Sequence, residues 1–227
     1  MSASTSDESA QEFYGRWARL YDLIARRTPG IPALRRRAAA ACRLERGDTV
    51  VEMGCGTGAN LPSLREQVGP EGTVIGIDFT EPVLERAREL TAEYDNVHVA
   101  RGDATSPPVT EDVDAVLATF VVGMLEDPAE AVDDWCDLVG PGGHVVLANA
   151  ARSDAWYAPP VNAVFRAIVV LSTPPTTKLR YEDAPHLRLD AKIDAAHARL
   201  RERSRAIADE THVFGVVRLT GGRIGEA

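Results

Sequence analysis

The stretch "VVEMGCGTGAN", Val50 to Asn60, decides how this chain is read. Its apolar start meets a carboxylate, Glu52, and then breaks into Gly54, Gly56 and Gly58, spaced two apart. A short apolar run bounded by glycines reads as a buried strand, and Asn60 to Val68 opens a helical pattern directly after it. Glycines in a strand-to-helix turn bare the main chain, because no Cβ intrudes and positive φ is cheap. A ligand at such a turn lies beyond the carboxyl ends of the strands.

The pattern continues outward from this turn. "TVIGID" reads as a second strand ending at Asp78, and Pro82 stands near the start of a helix running to about Tyr94. "VHVARGDA" reads as a third strand and "VDAVLATFV" as a fourth, followed by a helix from about Pro128 to Val139. "HVVLANA" reads as a fifth strand. Short apolar strands alternating with helices predict an α/β fold, a doubly wound, mostly parallel sheet. After Ala151 the rhythm changes, and Leu189 to Ala208 reads as a charged amphipathic helix. "HVFGVVRLTGG" reads as a final antiparallel strand, with no strand expected between it and that helix. Upstream, Tyr14 to Arg27 and Ile31 to Cys42 read as two helices parted by "TPGIP".

The chain has 227 residues, enough for one sizeable core. The net charge of −9 argues against general nucleic-acid affinity. Three cysteines at unrelated spacings, Cys42, Cys55 and Cys136, fit neither a disulfide framework nor a zinc site. They suit a reducing, cytoplasmic setting. The polar, acidic opening "MSASTSDESAQ" lacks the apolar segment of a secretory signal and reads as a disordered leader over residues 1–12. Arginines crowd the stretch that follows: Arg16, Arg19, Arg26, Arg27, Arg35, Arg36 and Arg37 face one acid, Asp22. Such an arm reads either as a solvated helix face paired with acids elsewhere or as a site of peripheral contact with an anionic membrane surface.

Two ligand classes compete for the turn. "GCGTGA" fits a dinucleotide fingerprint through Gly54, Gly56 and Ala59, which alone is a weak signal. The carboxylates point the other way. Glu52 would repel a pyrophosphate and suit a ligand with an ammonium and a sulfonium, such as S-adenosylmethionine. Asp78 can accept both hydroxyls of a ribose, which either ligand offers. Asp103, in "RGDA" at the end of the third strand, can accept from an exocyclic amine. None of the five tyrosines has a lysine four residues later, so the pair that serves short-chain dehydrogenases is missing.

"VVEMGCGTGAN", "VIGIDFTEPVLERAR", "RGDA", "VDAVLATFVVGMLEDPAEAVDDW" and "LVGPGGHVVLANA" together resemble the successive motifs of class I S-adenosylmethionine-dependent methyltransferases. The match runs in order from about Asp48 to Arg152 and implies a Rossmann-like methyltransferase fold with S-adenosyl-L-methionine as cofactor. The resemblance implies that Gly54, Gly56 and Gly58 pass under the methionine and ribose, beside Glu52 and Asn60. It places Asp78 on the ribose hydroxyls, Phe79 against the adenine, Asp103 and Ala104 at the adenine edge, and Thr119 and Phe120 toward the methyl. "FYGRWARLYDLIAR" is similar to the N-terminal helix of the quinone and phospholipid branch, which implies that Tyr21 lies over the cofactor. One domain over residues 13–227 is expected: a helical cap at 13–46, a cofactor core at 48–152, an acceptor-side helical segment at 153–210 and a final strand at 211–224.

No universal catalytic residue is implied, because the electrophile arrives activated. The segment "WYAPPVNAVFRAIVVL" and the arginine-rich arm suit a small, hydrophobic or lipid-like acceptor. A protein that binds the cofactor without transferring the methyl, and an NAD-dependent oxidoreductase, stand as alternatives. Relatives in this branch often carry histidines before the "EDP" turn, where this chain has Gly123 and Met124, a change expected to open space. "SPPV", "APPV" and "TPPT" lack the polar residue and aromatic needed to hold a flipped base, which argues against DNA as acceptor.

Overall fold

A computed structural model describes residues 31–109, 112–153, 155–172 and 185–226. Seven strands form one sheet in the order β3-β2-β1-β4-β5-β7-β6. They are β1 (Thr49–Met53), β2 (Thr73–Asp78), β3 (Val97–Arg101), β4 (Ala115–Thr119), β5 (His144–Ala150), β6 (Ser204–His212) and β7 (Val217–Ile224). The first five run parallel, while β7 pairs antiparallel with β5 and β6 antiparallel with β7. The helices are α1 (Ile31–Ala41), α2 (Leu61–Val68), α3 (Glu81–Thr91), α4 (Pro128–Val139), α5 (Ala158–Ser172) and α6 (Pro185–Arg203). The expected α/β, doubly wound, mostly parallel architecture is present.

The alternation of side chains along each strand splits the core into two layers. Val51, Met53, Val116, Val145 and Leu147 face Trp135 and Val132 of α4 and Ile193 and Leu200 of α6. Val50, Leu117 and Val146 face Ala38 of α1, Leu61 and Leu64 of α2 and Leu84 of α3. Burying side chains on both faces explains why β1 and β4 read as continuous apolar runs. Glu52 is two residues from Val50 and Thr119 two from Leu117, so this period puts both on the α1–α2 face at the carboxyl end of the sheet.

The C-terminal region departs from expectation. The helix expected to run to Ala208 ends at Arg203, and Ser204–His212 is a strand rather than more helix. The acceptor-side helical segment therefore does not extend to residue 210, and the final strand begins at Val217 rather than residue 211. "SRAIADETH" is a charged, largely exposed edge strand, so it lacks the apolar alternation that betrays a strand. Asp209 pairs with Arg201 and Glu210 with Arg37, which masks the edge with ion pairs. Tyr21, the Tyr14–Arg27 helix, the leader and Arg16, Arg19, Arg26 and Arg27 lie outside the described residues.

Candidate cofactor site

The three glycines do three different jobs. All have positive φ, +65° at Gly54, +53° at Gly56 and +76° at Gly58, where L side chains are strained. At Gly54 a Cβ would lie 2.6 Å from Cγ2 of Val121, so this glycine admits the segment after β4. At Gly58 a Cβ would lie 2.9 Å from Cβ of Ala87, so this one lets α3 close on the turn. At Gly56 nothing stands within 4 Å. That open side is where a ligand can meet bare main chain.

Asp78 holds the turn. Its Oδ2 accepts from the Gly56 N–H at 3.0 Å and its Oδ1 from the Thr80 N–H at 2.9 Å. Each oxygen keeps a second lone pair for a hydroxyl. The Cys55 N–H donates to the Ile77 carbonyl at 2.9 Å, which ties the turn to the end of β2.

Beneath the turn lies a buried polar cluster. Glu52 is fully buried, and its Oε1 accepts from Asn60 Nδ2 at 2.5 Å and from Thr119 Oγ1 at 3.3 Å. Asn60 also donates to Thr119 Oγ1 at 3.0 Å, so it is spent on this cluster rather than on capping α2. Oε2 of Glu52 has no hydrogen-bond partner among the described residues. Burial pushes the Glu52 carboxyl up to about 7, against the pull of Asn60, Arg35 and Thr119 and with a smaller push from Asp78. A buried carboxylate oxygen without a partner is a group that a cation can satisfy.

The other expected residues lie at or just beyond the carboxyl ends of β2, β3 and β4, at the same end of the sheet. Phe79, beyond β2, is half exposed, and the Arg101 guanidinium donates to its carbonyl at 3.2 Å. Asp103 folds back on itself: Oδ1 accepts from the Thr105 N–H at 2.9 Å and from its hydroxyl at 2.8 Å. The buried Trp135 donates from Nε1 to the Ala104 carbonyl at 2.7 Å, which fixes the main chain beside Asp103. Thr119 is turned into the Glu52 cluster. Phe120 has φ +59° and donates its N–H to the Ala148 carbonyl at 2.8 Å, a strained bend that sends Val121 onto Gly54. Gly123 does not open space: Leu189 of α6 stands where its Cβ would be. A surface cleft of about 420 Å³ lined by Arg46, Arg65, Glu66 and Tyr94 shares no residue with this turn.

Sequence reasoning did not single out Arg35 or Trp135 for the site. Arg35 donates from Nη1 to Asn60 Oδ1 at 3.4 Å. Both residues act at a distance in sequence, and only the packing of α1 and α4 reveals them.

Over 110 residues the chain is 33% identical to arsenite methyltransferase of Halobacterium salinarum, covering 47% of this chain and 28% of that protein. Over 119 residues it is 34% identical to demethylmenaquinone methyltransferase of Staphylococcus aureus, covering 52% of this chain and 49% of that one. The chain thus spans at most about half the length of these curated relatives. Among solved structures, a SAM-dependent methyltransferase of Aquifex aeolicus superposes with a TM-score of 0.55 at 19% identity, over 84% of this chain and 89% of that one. A SAM-dependent O-methyltransferase of Thermotoga maritima superposes with a TM-score of 0.59 at 15% identity, over 86% of this chain and 66% of that one. These two likenesses show the fold. A methyltransferase domain family model matches residues 44–175, more than half of the chain and all of the glycine turn, β2, the Asp103 turn and β4, and the chain belongs to that family.

Proposed function

We propose that this protein binds S-adenosyl-L-methionine over the Gly54–Asn60 turn and transfers its methyl group to a small, hydrophobic acceptor. The observation that carries the reading is the buried Glu52 carboxylate, with an unpartnered Oε2, on the strand that leads into the turn where Gly56 leaves the main chain bare. A diphosphate would meet two acids there, Glu52 and Asp78, and a cationic nucleoside is attracted by both. When bound, the cofactor supplies a sulfonium methyl that needs no further activation. Glu52 receives the ammonium, Asp78 the ribose hydroxyls, and Phe79, Asp103 and Ala104 border the adenine. Thr119 keeps Glu52 in place, and the bend at Phe120 shapes the wall toward the acceptor. Tyr21 would cover the cofactor from the N-terminal helix. Alignment of donor and acceptor with exclusion of water is what the protein contributes to an in-line displacement.

Exposed apolar side chains support an apolar acceptor. Phe79, Met124, Trp156, Tyr157, Leu187 and Phe214 are all exposed, and all sit in segments at the carboxyl end of the parallel strands. Trp156 is 92% exposed, and its ring meets Tyr157 edge-on at 5.6 Å. Aromatic side chains with a polar tip suit a boundary between water and an apolar phase. This supports a lipid-like acceptor and peripheral membrane contact, and gives nucleic acid no role. Among the described residues no helix is long and apolar enough to cross a membrane. Three buried thiols support a cytoplasmic setting.

The test is methyl transfer from S-adenosylmethionine labelled on the methyl, offered with lipid and aqueous cell fractions separately. Label is expected in the lipid fraction, lost at least tenfold in Glu52→Gln. Label confined to the aqueous fraction would remove the lipid preference, and no label in either would leave a cofactor-binding protein without transferase activity.

A further inference from the structure

The first helix of the described chain reaches into the cofactor site through one side chain. Arg35 lies on the face of α1 that packs over the sheet, between the buried Leu34 and Ala38. From there Nη1 donates to Asn60 Oδ1, and the other end of the same amide donates to Glu52 Oε1 and Thr119 Oγ1. The amide is thus oriented from both ends. An Asn that can present either its oxygen or its nitrogen to Glu52 is constrained, by a guanidinium that only donates, to present nitrogen.

We infer that Arg35 is a positioning residue of the cofactor site, which holds Asn60, and through it the Glu52 carboxylate, in the arrangement that receives the cofactor's ammonium. The inference rests on the proposed function and adds to it a control of the site by the N-terminal helix. The groups facing Glu52 support it. Arg35 from α1 is the cation among those that act on it, and Asp78 from β2 is the opposing acid. Asn60, at the start of α2, and Thr119, on β4, donate hydrogen bonds to it. The thiols of Cys42 and Cys55 are pushed up by burial first and then by Glu52, so they stay neutral. Replacing Arg35 therefore removes both the orienting donor and the positive charge. Glu52 then holds its proton to higher pH.

The experiment follows the Glu52 carboxyl carbon by NMR in ligand-free protein, assigned with Glu52→Gln, in wild type, Arg35→Met and Arg35→Lys. Binding of S-adenosylmethionine is measured across the same pH range. Wild type is expected to titrate at Glu52 at about 7. Arg35→Met is expected to move that inflection up by about one pH unit, and to weaken binding several-fold near neutrality with recovery in alkaline buffer. Arg35→Lys keeps the charge and restores much of the shift. An inflection unmoved in Arg35→Met, or an affinity for S-adenosylmethionine unchanged near neutrality, overturns the inference. If wild type titrates at Glu52 and binds no S-adenosylmethionine at any pH, the functional reading fails instead. In that case the carbon titration still decides whether Arg35 governs Glu52.

Discussion

The fully buried carboxylate of Glu52 ties the stability of this protein to its proposed chemistry. Its folded-state value of about 7 stands above the ordinary 4.5, so its stabilising state is the protonated one. That contribution is complete below the ordinary carboxylate range and is lost as pH rises through about 7. Glu52→Gln keeps an acceptor for Asn60 and removes the buried charge. It is expected to stabilise the fold above neutrality by up to about 3 kcal/mol and to give no gain in acid, as measured by denaturant unfolding at several pH values. The same substitution is expected to abolish tight cofactor binding, so stability and affinity move in opposite directions. The glycines divide likewise. Gly54→Ala drives a Cβ into Val121 and is expected to destabilise by several kcal/mol. Gly56→Ala meets nothing and is expected to lower stability by only about 1 kcal/mol while weakening S-adenosylmethionine binding at least tenfold. The sequence presents these glycines as equivalents. What separates them is which neighbour, Val121, Ala87 or open space, the fold places above each.

At the scale of elements, α6 is held to the sheet by a buried polar relay. His197 Nδ1 lies 2.7 Å from Thr220 Oγ1, and that hydroxyl donates to Asp209 Oδ1 at 2.5 Å. His197 Nε2 lies 3.3 Å from Asn149 Oδ1, so the relay reaches β5 as well as β7. Burial pushes His197 down to about 4, helped by the charges of Arg201 and Arg218. Stability from a neutral His197 is present above 6.5 and lost as pH falls through about 4. His197→Gln is expected to flatten the acid limb of a pH-stability profile at a cost of about 1 kcal/mol at neutral pH. Elements on the first five strands were legible because they carry both periodicity and punctuation. The helix expected over residues 128–139 is α4 residue for residue, started by Pro128 and stopped by Gly140. β6 was not legible, because an edge strand buries little and its charges serve ion pairs rather than a core. The expected site is uneven in the same way: Glu52 and the glycines stand in one stretch and Asp78 and Asp103 at or just beyond the ends of the next two strands, but Arg35 and Trp135 arrive only through packing.

Across the whole molecule, the two core layers meet at one end of the sheet in a rim that is acidic inside and apolar outside. At the surface Arg37–Glu210 and Arg201–Asp209 pairs brace the C-terminal strands and helix. Exposed pairs of this kind contribute little each. Salt is therefore expected to change stability little while weakening the attraction of Glu52 for its cation still less, since that carboxylate is buried. The most direct measurement is calorimetric titration with S-adenosylmethionine at about pH 7, in two buffers of different ionisation enthalpy, with NADH as the competing ligand. Binding of S-adenosylmethionine with release of roughly half a proton, as Glu52 ionises to meet the ammonium, is the predicted result. NADH binding in its place, or S-adenosylmethionine binding with no proton exchanged, would contradict a site built around an ionising Glu52.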